Sequence, residues 1–314
     1  MRFIDRDEVA RRLTYERCIP AVRAAMIAFS TGETKQLLRS IIHFSEGRAF
    51  GVMPGAMGDP GVFGAKLISV FPENVARGGQ SHQGIVVLFD PATGAPTCVA
   101  HAGEITAIRT GCASAVATDA LARADASRLA LLGTGEQALT HARAISRVRK
   151  LSAITVWGRD ASKARAIAAK LEPELSIPTT PAPTVRVCVV DADIICAVSG
   201  AKEPILEGQW VRPGTHVNIV GSSYAGPAEV DHDLVLKSRF IADSREGVLA
   251  QGAEFLRAKQ AGLIGDDHVA GEIGQVLAGK LEGRQSRDQI TAYKSLGHIV
   301  QDLVSAWLLY AEND

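Results

Sequence analysis

Arg128-Leu129-Ala130-Leu131-Leu132-Gly133-Thr134-Gly135-Glu136-Gln137-Ala138 runs from a short apolar strand into a glycine turn and out into a helix. Gly133 to Ala138 fits GxGxxA, a pattern that gains weight when a strand precedes it and an amphipathic helix follows. Here Ala138, Ala142, Ile145 and Val148 recur on one helical face. Gly133 permits the tight turn. Gly135 lets a pyrophosphate approach the backbone, and Ala138 lets helix and strand pack closely. The amides and dipole of the helix start favour the phosphate charge. The alternative is a glycine-bearing turn with no ligand, and the strand–turn–helix context favours the dinucleotide. The next strand ends Val156-Trp157-Gly158-Arg159-Asp160. An NAD site usually carries an acid at this strand end, whereas Gly158 stands first here. Arg159 suits a 2′-phosphate, which tilts the reading slightly toward NADP(H). Asp160 one residue on would restore NAD, and Arg159 is otherwise a solvated surface charge.

Working outward, strands Ala153–Trp157, Asp193–Val198, His216–Val220 and Phe240–Ala242 alternate with helical stretches such as 161–171. That alternation implies a parallel, doubly wound sheet. Residues 174–190 fit either a strand or a short helix. Upstream the period differs. After helices over 6–32, the runs Leu37–Phe44, Arg48–Met53, Gly64–Phe71, Gly84–Phe89 and Pro96–Ala100 read as short strands. Breakers such as Met53-Pro54-Gly55 separate them, and no helices intervene, so this sheet is expected to be antiparallel. Residues 104–125, 268–281 and 295–312 read as helices. The fold class is therefore α/β: a Rossmann-type doubly wound parallel sheet plus a second α+β domain.

The chain has 314 residues, with 34 Lys+Arg against 34 Asp+Glu. A neutral total argues against nucleic-acid binding, which needs a basic face. Hydrophobic residues at 46% allow a large core, and the length favours two domains. Apolar runs are too short to span a bilayer, so no membrane partner is expected. The N-terminus Met1-Arg2-Phe3-Ile4-Asp5-Arg6-Asp7-Glu8 lacks the apolar stretch of a secretory signal. The five cysteines have no CxxC spacing and read as reduced thiols of a cytoplasmic protein. The histidines show no HxH or HExxH pair, so no metal is expected.

Several separated motifs carry a resemblance. They are Lys66-Leu67-Ile68-Ser69-Val70-Phe71-Pro72-Glu73-Asn74, Glu104-Ile105-Thr106-Ala107-Ile108-Arg109-Thr110, Ala120-Leu121-Ala122-Arg123, Ala192-Asp193-Ile194-Ile195, Pro213-Gly214-Thr215-His216-Val217-Asn218, Gly283-Arg284-Gln285-Ser286 and Lys294-Ser295-Leu296-Gly297. In this order, across nearly the whole chain, they resemble the ornithine cyclodeaminase/mu-crystallin family. The resemblance implies a homodimer. It implies a substrate and dimerisation domain from residues 1–112 and 295–314, and a Rossmann domain from 113–294. It also implies NAD(P)(H)-dependent hydride exchange at the Cα of a small amino or imino acid.

By motif match Arg39 and Arg109 correspond to the family's carboxylate-binding arginines and Lys66 to its substrate-facing lysine. Read as residues alone, Arg109 is an odd charge in an apolar helix start, while Lys66 and Arg39 also fit an outward strand face. Gly133, Thr134, Gly135 and Gln137 form the phosphate turn. Ala197 and Ser199 are matched to the ribose, and Ser295 to the segment beside the nicotinamide. His82 is a loop histidine left outside the site. One departure matters. Ornithine cyclodeaminases carry a catalytic aspartate after the strand that here ends Val220-Gly221-Ser222-Ser223-Tyr224. Ser223 cannot act as the same acid–base at neutral pH. Expected instead is imine reduction or amino acid oxidation, with ornithine cyclisation and a non-catalytic dinucleotide-binding protein as alternatives.

Overall fold

The computed structural model describes residues 1–45, 47–58 and 61–311. The last three residues, which the expected C-terminal helix and domain reach, lie outside the described residues. The chain divides into two compact units: Met1–Arg109 with His298–Asp314, and Thr110–Gly297.

The first unit opens with β1 (Arg2–Ile4), α1 (Arg6–Arg12) and α2 (Tyr15–Ser30). Strands β2 (Thr34–Gln36), β3 (Ser40–Ser45), β4 (Arg48–Gly58), β5 (Gly61–Val70), β6 (His82–Phe89) and β7 (Pro96–His101) follow. They form a seven-stranded sheet, ordered β1-β7-β6-β5-β4-β2, with β3 also on β4. All its pairings are antiparallel except β1 with β7. The C-terminal helix (Ile299–Tyr310) packs on α2 and on β4, β5 and β6. Along β5, Gly64, Lys66 and Ile68 turn inward in strict alternation.

Pro54 and Gly55 do not break the chain, contrary to the sequence expectation. They lie within β4, where β3 pairs with residues up to Val52 and β2 pairs only from Gly55. Pro54 falls between those two partners, so its missing N–H costs no bond on that side.

Helix α3 (Ala102–Leu121) contributes its first turns to the first unit and the rest to the second. The second unit continues with β8 (Arg128–Leu132), α4 (Glu136–Ile145), β9 (Ala153–Trp157), α5 (Ala161–Leu175), β10 (Thr179–Pro181), α6 (Val185–Val189) and β11 (Ile194–Ala197). Then come β12 (His216–Ile219), α7 (His232–Lys237), β13 (Ser238–Ala242), α8 (Arg245–Gln251), α9 (Ala253–Gln260), β14 (Val269–Glu272), α10 (Ile273–Leu277) and β15 (Ile290–Lys294). The eight strands are parallel, ordered β10-β9-β8-β11-β12-β15-β13-β14. The order reverses direction at β8, so the topological switch point lies between β8 and β11, where dinucleotide folds bind.

The expected helix over 268–281 is a correction: it begins as β14, paired to β13. Gly271, at φ 156, is poorly suited to a helix interior. β15 is fully buried although it ends on a charge, Lys294, which an apolar-run reading does not predict. No helix among the described residues is long and apolar enough to cross a membrane.

Candidate active site

In the second unit the glycine turn stands as its sequence demands. Gly133 has φ +145, and a Cβ there would lie 2.5 Å from the Val198 carbonyl oxygen. Only glycine serves. Gly135 is the N-cap of α4 and offers no side-chain cap to the helix amides. A Cβ on Gly135 would meet no protein atom within 4 Å. Protein packing therefore does not require glycine at 135, whereas a pyrophosphate approaching the backbone does. Ala138 is fully buried under the turn. Thr134 and Gln137 are half-buried beside it, and Gln137 accepts a hydrogen bond from Thr140.

Ala197 is buried within β11, and its carbonyl accepts the amides of Val220 and Gly221. It frames the crevice by its backbone. Ser199, just past β11, donates its amide and hydroxyl to Glu229. Ser295, after β15, is buried, and its hydroxyl has no hydrogen-bond partner among the described residues. A buried hydroxyl left unpaired is costly, and a carboxamide would satisfy it. Turn, crevice and hydroxyl together fit a nicotinamide dinucleotide.

Arg159 is exposed beyond β9, with no salt-bridge partner among the described residues. Asp160 is occupied: its carboxylate caps α5 by accepting the Ser162 and Lys163 amides and the Ser162 hydroxyl. Gly158 leaves room for Thr134, whose Cγ2 would lie 2.4 Å from a Cβ there. A side chain at 158 would therefore require the half-buried Thr134 to move aside.

In the first unit, Lys66 and Arg109 meet on one carboxylate that the sequence reading missed. Asp302 Oδ1, on the C-terminal helix, accepts from Lys66 Nζ at 3.1 Å and from Arg109 Nε at 3.1 Å. Lys66 also donates to Thr106 Oγ1 at 2.6 Å, and Arg109 to Gln301 Oε1 at 2.7 Å. Lys66 is only 2% exposed, Arg109 4% and Asp302 0%, so the outward-facing reading of Lys66 is overturned. Thr106 and Arg109 stand one turn apart on α3, which aims both at the same point.

Burial lowers the Lys66 pKa to about 8, with Asp302 opposing and Arg109 and Arg39 adding to the fall. Burial pushes Asp302 upward, but Arg109 and Lys66 outweigh it and hold the carboxyl below its usual range. Arg39, half-buried between β2 and β3, adds its charge to the same field. Two cations thus share one internal carboxylate, and the charge of Arg39 acts on Lys66 as well, a surplus of positive charge suited to an anionic ligand. His82 is exposed, with Nδ1 2.9 Å from Ser81 Oγ.

Ser223 follows β12 in the second unit and is half-buried. Its neighbour Ser222 is the buried serine, donating to Glu254 Oε1 at 2.8 Å. The nearest following acid, Glu229, is itself buried.

These features define a class: a dinucleotide fold joined in one chain to a sheet domain with a buried cationic anion site. The chain belongs to the ornithine cyclodeaminase/mu-crystallin family, whose pattern matches residues 2–313. It is 33% identical over 313 residues to the ketimine reductase mu-crystallin of Rattus norvegicus, covering 98% of this chain and 96% of that one. The Δ1-pyrroline-2-carboxylate reductase of Thermococcus litoralis, solved with NADH and L-proline, superposes with a TM-score of 0.96. It is 32% identical and covers 99% of this chain and 97% of its own. An archaeal alanine dehydrogenase dimer with bound NAD gives a TM-score of 0.92 at 26% identity, over 98% of this chain and 94% of that one.

Proposed function

We propose that this protein is an NAD(P)-dependent reductase of small α-imino acids or cyclic ketimines, running in reverse as an amino acid dehydrogenase. The observation that carries the reading is the Lys66–Asp302–Arg109 cluster, with Arg39 beside it. A substrate carboxylate would pair with Arg109 and Arg39. Lys66, with a pKa near 8, would orient the imine and give its nitrogen a proton. The nicotinamide supplies the hydride on reduction and accepts it on oxidation. Gly133, Thr134, Gly135 and Gln137 would seat the pyrophosphate, with Ser199 and Ser295 toward the nicotinamide end. Arg159, left free while Asp160 caps its helix, supports NADP(H) over NAD(H).

Ornithine cyclisation is disfavoured, because Glu229 is buried against backbone amides and Ser223 is no acid. The named relatives act on, or were solved with, ketimine, pyrroline carboxylate, proline or alanine chemistry, which supports the same class of substrate. We further infer a homodimer, supported by the archaeal relative and by exposed apolar residues on β3. We also infer a cytoplasmic protein, since all five cysteines are buried free thiols.

A substrate screen tests this. Amino acids with both oxidised cofactors, and α-keto acids with amines and both reduced ones, are followed by nicotinamide absorbance. Turnover of an imino acid, faster with NADPH, is expected, and Arg159→Ala should level that preference. Lys66→Ala and Arg109→Ala should each lower kcat/KM about 100-fold with unchanged cofactor affinity. Wild-type rates in either variant would reject the site.

A further inference from the structure

The C-terminal ends of the central strands are tied together by buried charge. Glu229 is fully buried. Its Oε1 accepts the Ser199 amide at 2.6 Å and the Ser199 hydroxyl at 2.7 Å. Its Oε2 accepts the Gly221 amide at 2.6 Å. Ser199 follows β11 and Gly221 follows β12, so one carboxylate bridges the chain beyond two neighbouring strands. The approach is close enough to dictate sequence. A Cβ on Gly221 would lie 2.1 Å from the Ser199 carbonyl oxygen and 2.5 Å from Glu229 Oε1.

A second buried carboxylate extends the tie. Glu254 Oε1, on α9, accepts the Glu229 amide at 3.1 Å and the Ser222 hydroxyl at 2.8 Å. Its Oε2 pairs with Lys294 Nζ at 2.7 Å. Lys294, the last residue of β15, donates to both oxygens of Ser222 at 2.7 Å. On the other side Val198 abuts Gly133 of the phosphate turn. The network thus spans the ends of β11, β12 and β15, the half of a doubly wound sheet that takes the second mononucleotide.

We propose that Glu229 is a positioning residue for the nicotinamide end of the dinucleotide, its carboxylate holding the backbones of Ser199 and Gly221 in the conformation that end requires. The inference rests on the dinucleotide reading above. The ionised form is needed, since only a carboxylate accepts on both oxygens from these donors. Burial pushes the Glu229 pKa up to about 7, with the Ser199 hydrogen bonds and Lys294 opposing and Glu254 adding to the rise. The charged groups facing it are Glu254 from α9 and Lys294 from β15. Cys196 of β11 is pushed up to about 12 by burial and stays neutral. The clasp is therefore made above about pH 7 and released as protons are added below it.

The test measures binding. Affinities for NADH and ADP-ribose, and for NADPH and 2′-phospho-ADP-ribose, are measured by calorimetry from about pH 8 to about pH 6, across the Glu229 titration. Each pair shares every phosphate, so its ratio isolates the nicotinamide. In the wild type that ratio should fall through about pH 7. Glu229→Gln sets an amide N–H against one of the backbone N–H groups. It should lower dinucleotide affinity about tenfold at high pH, leave ADP-ribose binding within about twofold, and abolish the pH dependence. A wild-type ratio flat with pH overturns the proposal, and needs no variant to fold. So does a Glu229→Gln protein that binds the dinucleotide normally, or that loses both ligands equally. A wild type that binds none of the probes overturns the dinucleotide reading first, and this inference with it.

Discussion

At the residue scale, Asp302 governs the chemistry assigned to Lys66. A buried lysine beside a buried arginine is driven to lose its proton, and Asp302 opposes that loss. With its pKa held near 8, Lys66 remains mostly protonated at neutral pH and still able to release. As the donor in imine reduction, it makes kcat/KM fall as pH rises through about 8. In Asp302→Asn the raising influence is gone while burial and Arg109 remain. The alkaline limb of the kcat/KM–pH profile should therefore move to lower pH. The same change strands two buried cations, so stability should drop by about 3–5 kcal/mol, read by denaturant unfolding. An unmoved limb would show that Lys66 is not the titrating donor. Arg109 stands out in the sequence as a charge in an apolar helix start, while Lys66 is marked only by its motif match. Asp302 went unread, although Gln301-Asp302 inside the apolar run from Ile299 to Leu309 is a signal of the same kind as Arg109. Its partner Arg109 lies 193 residues away, and no local pattern links them.

At the element scale, the two glycines of the phosphate turn should separate by experiment. Gly133 is demanded by the fold: its φ and the Val198 carbonyl leave no room for a side chain. Gly133→Ala should lower the melting temperature as well as dinucleotide affinity. Gly135 is free of protein neighbours, so Gly135→Ala should cost at most about 1 kcal/mol at the helix cap. Dinucleotide affinity should nonetheless fall about tenfold, because the methyl would occupy the pyrophosphate's approach. Normal affinity in Gly135→Ala would argue for a ligand-free turn. Strands β8 and β9 were legible to the residue, since apolar runs bounded by turns leave little choice. β14 and β15 were not, because pairing with β13 outweighs a helical apolar spacing, and a buried lysine disguises a core strand until its partner Glu254 is known.

At the scale of the whole molecule, the proposed dimer has a surface to account for it. Ile42 and Phe44 on β3 are 63% and 54% exposed, and Leu37 just before it is 71% exposed. Large apolar side chains along a sheet edge are a contact surface or an aggregation hazard. Ile42→Glu with Phe44→Glu should convert a dimer to a soluble monomer by light scattering. A wild-type monomer, or a double variant that stays dimeric, would reject this edge as the interface.

The alternation of period along the chain determined two sheets of different kind, and the glycine turn marked the candidate seat of a dinucleotide, because both are properties of neighbouring residues. Tertiary structure alone decided that Lys66 faces inward, that Asp302 joins it to Arg109, and that Glu229 clasps two strand ends. Each depends on side chains brought together from distant positions, where loss of water makes a charge seek a partner that no stretch of sequence can name.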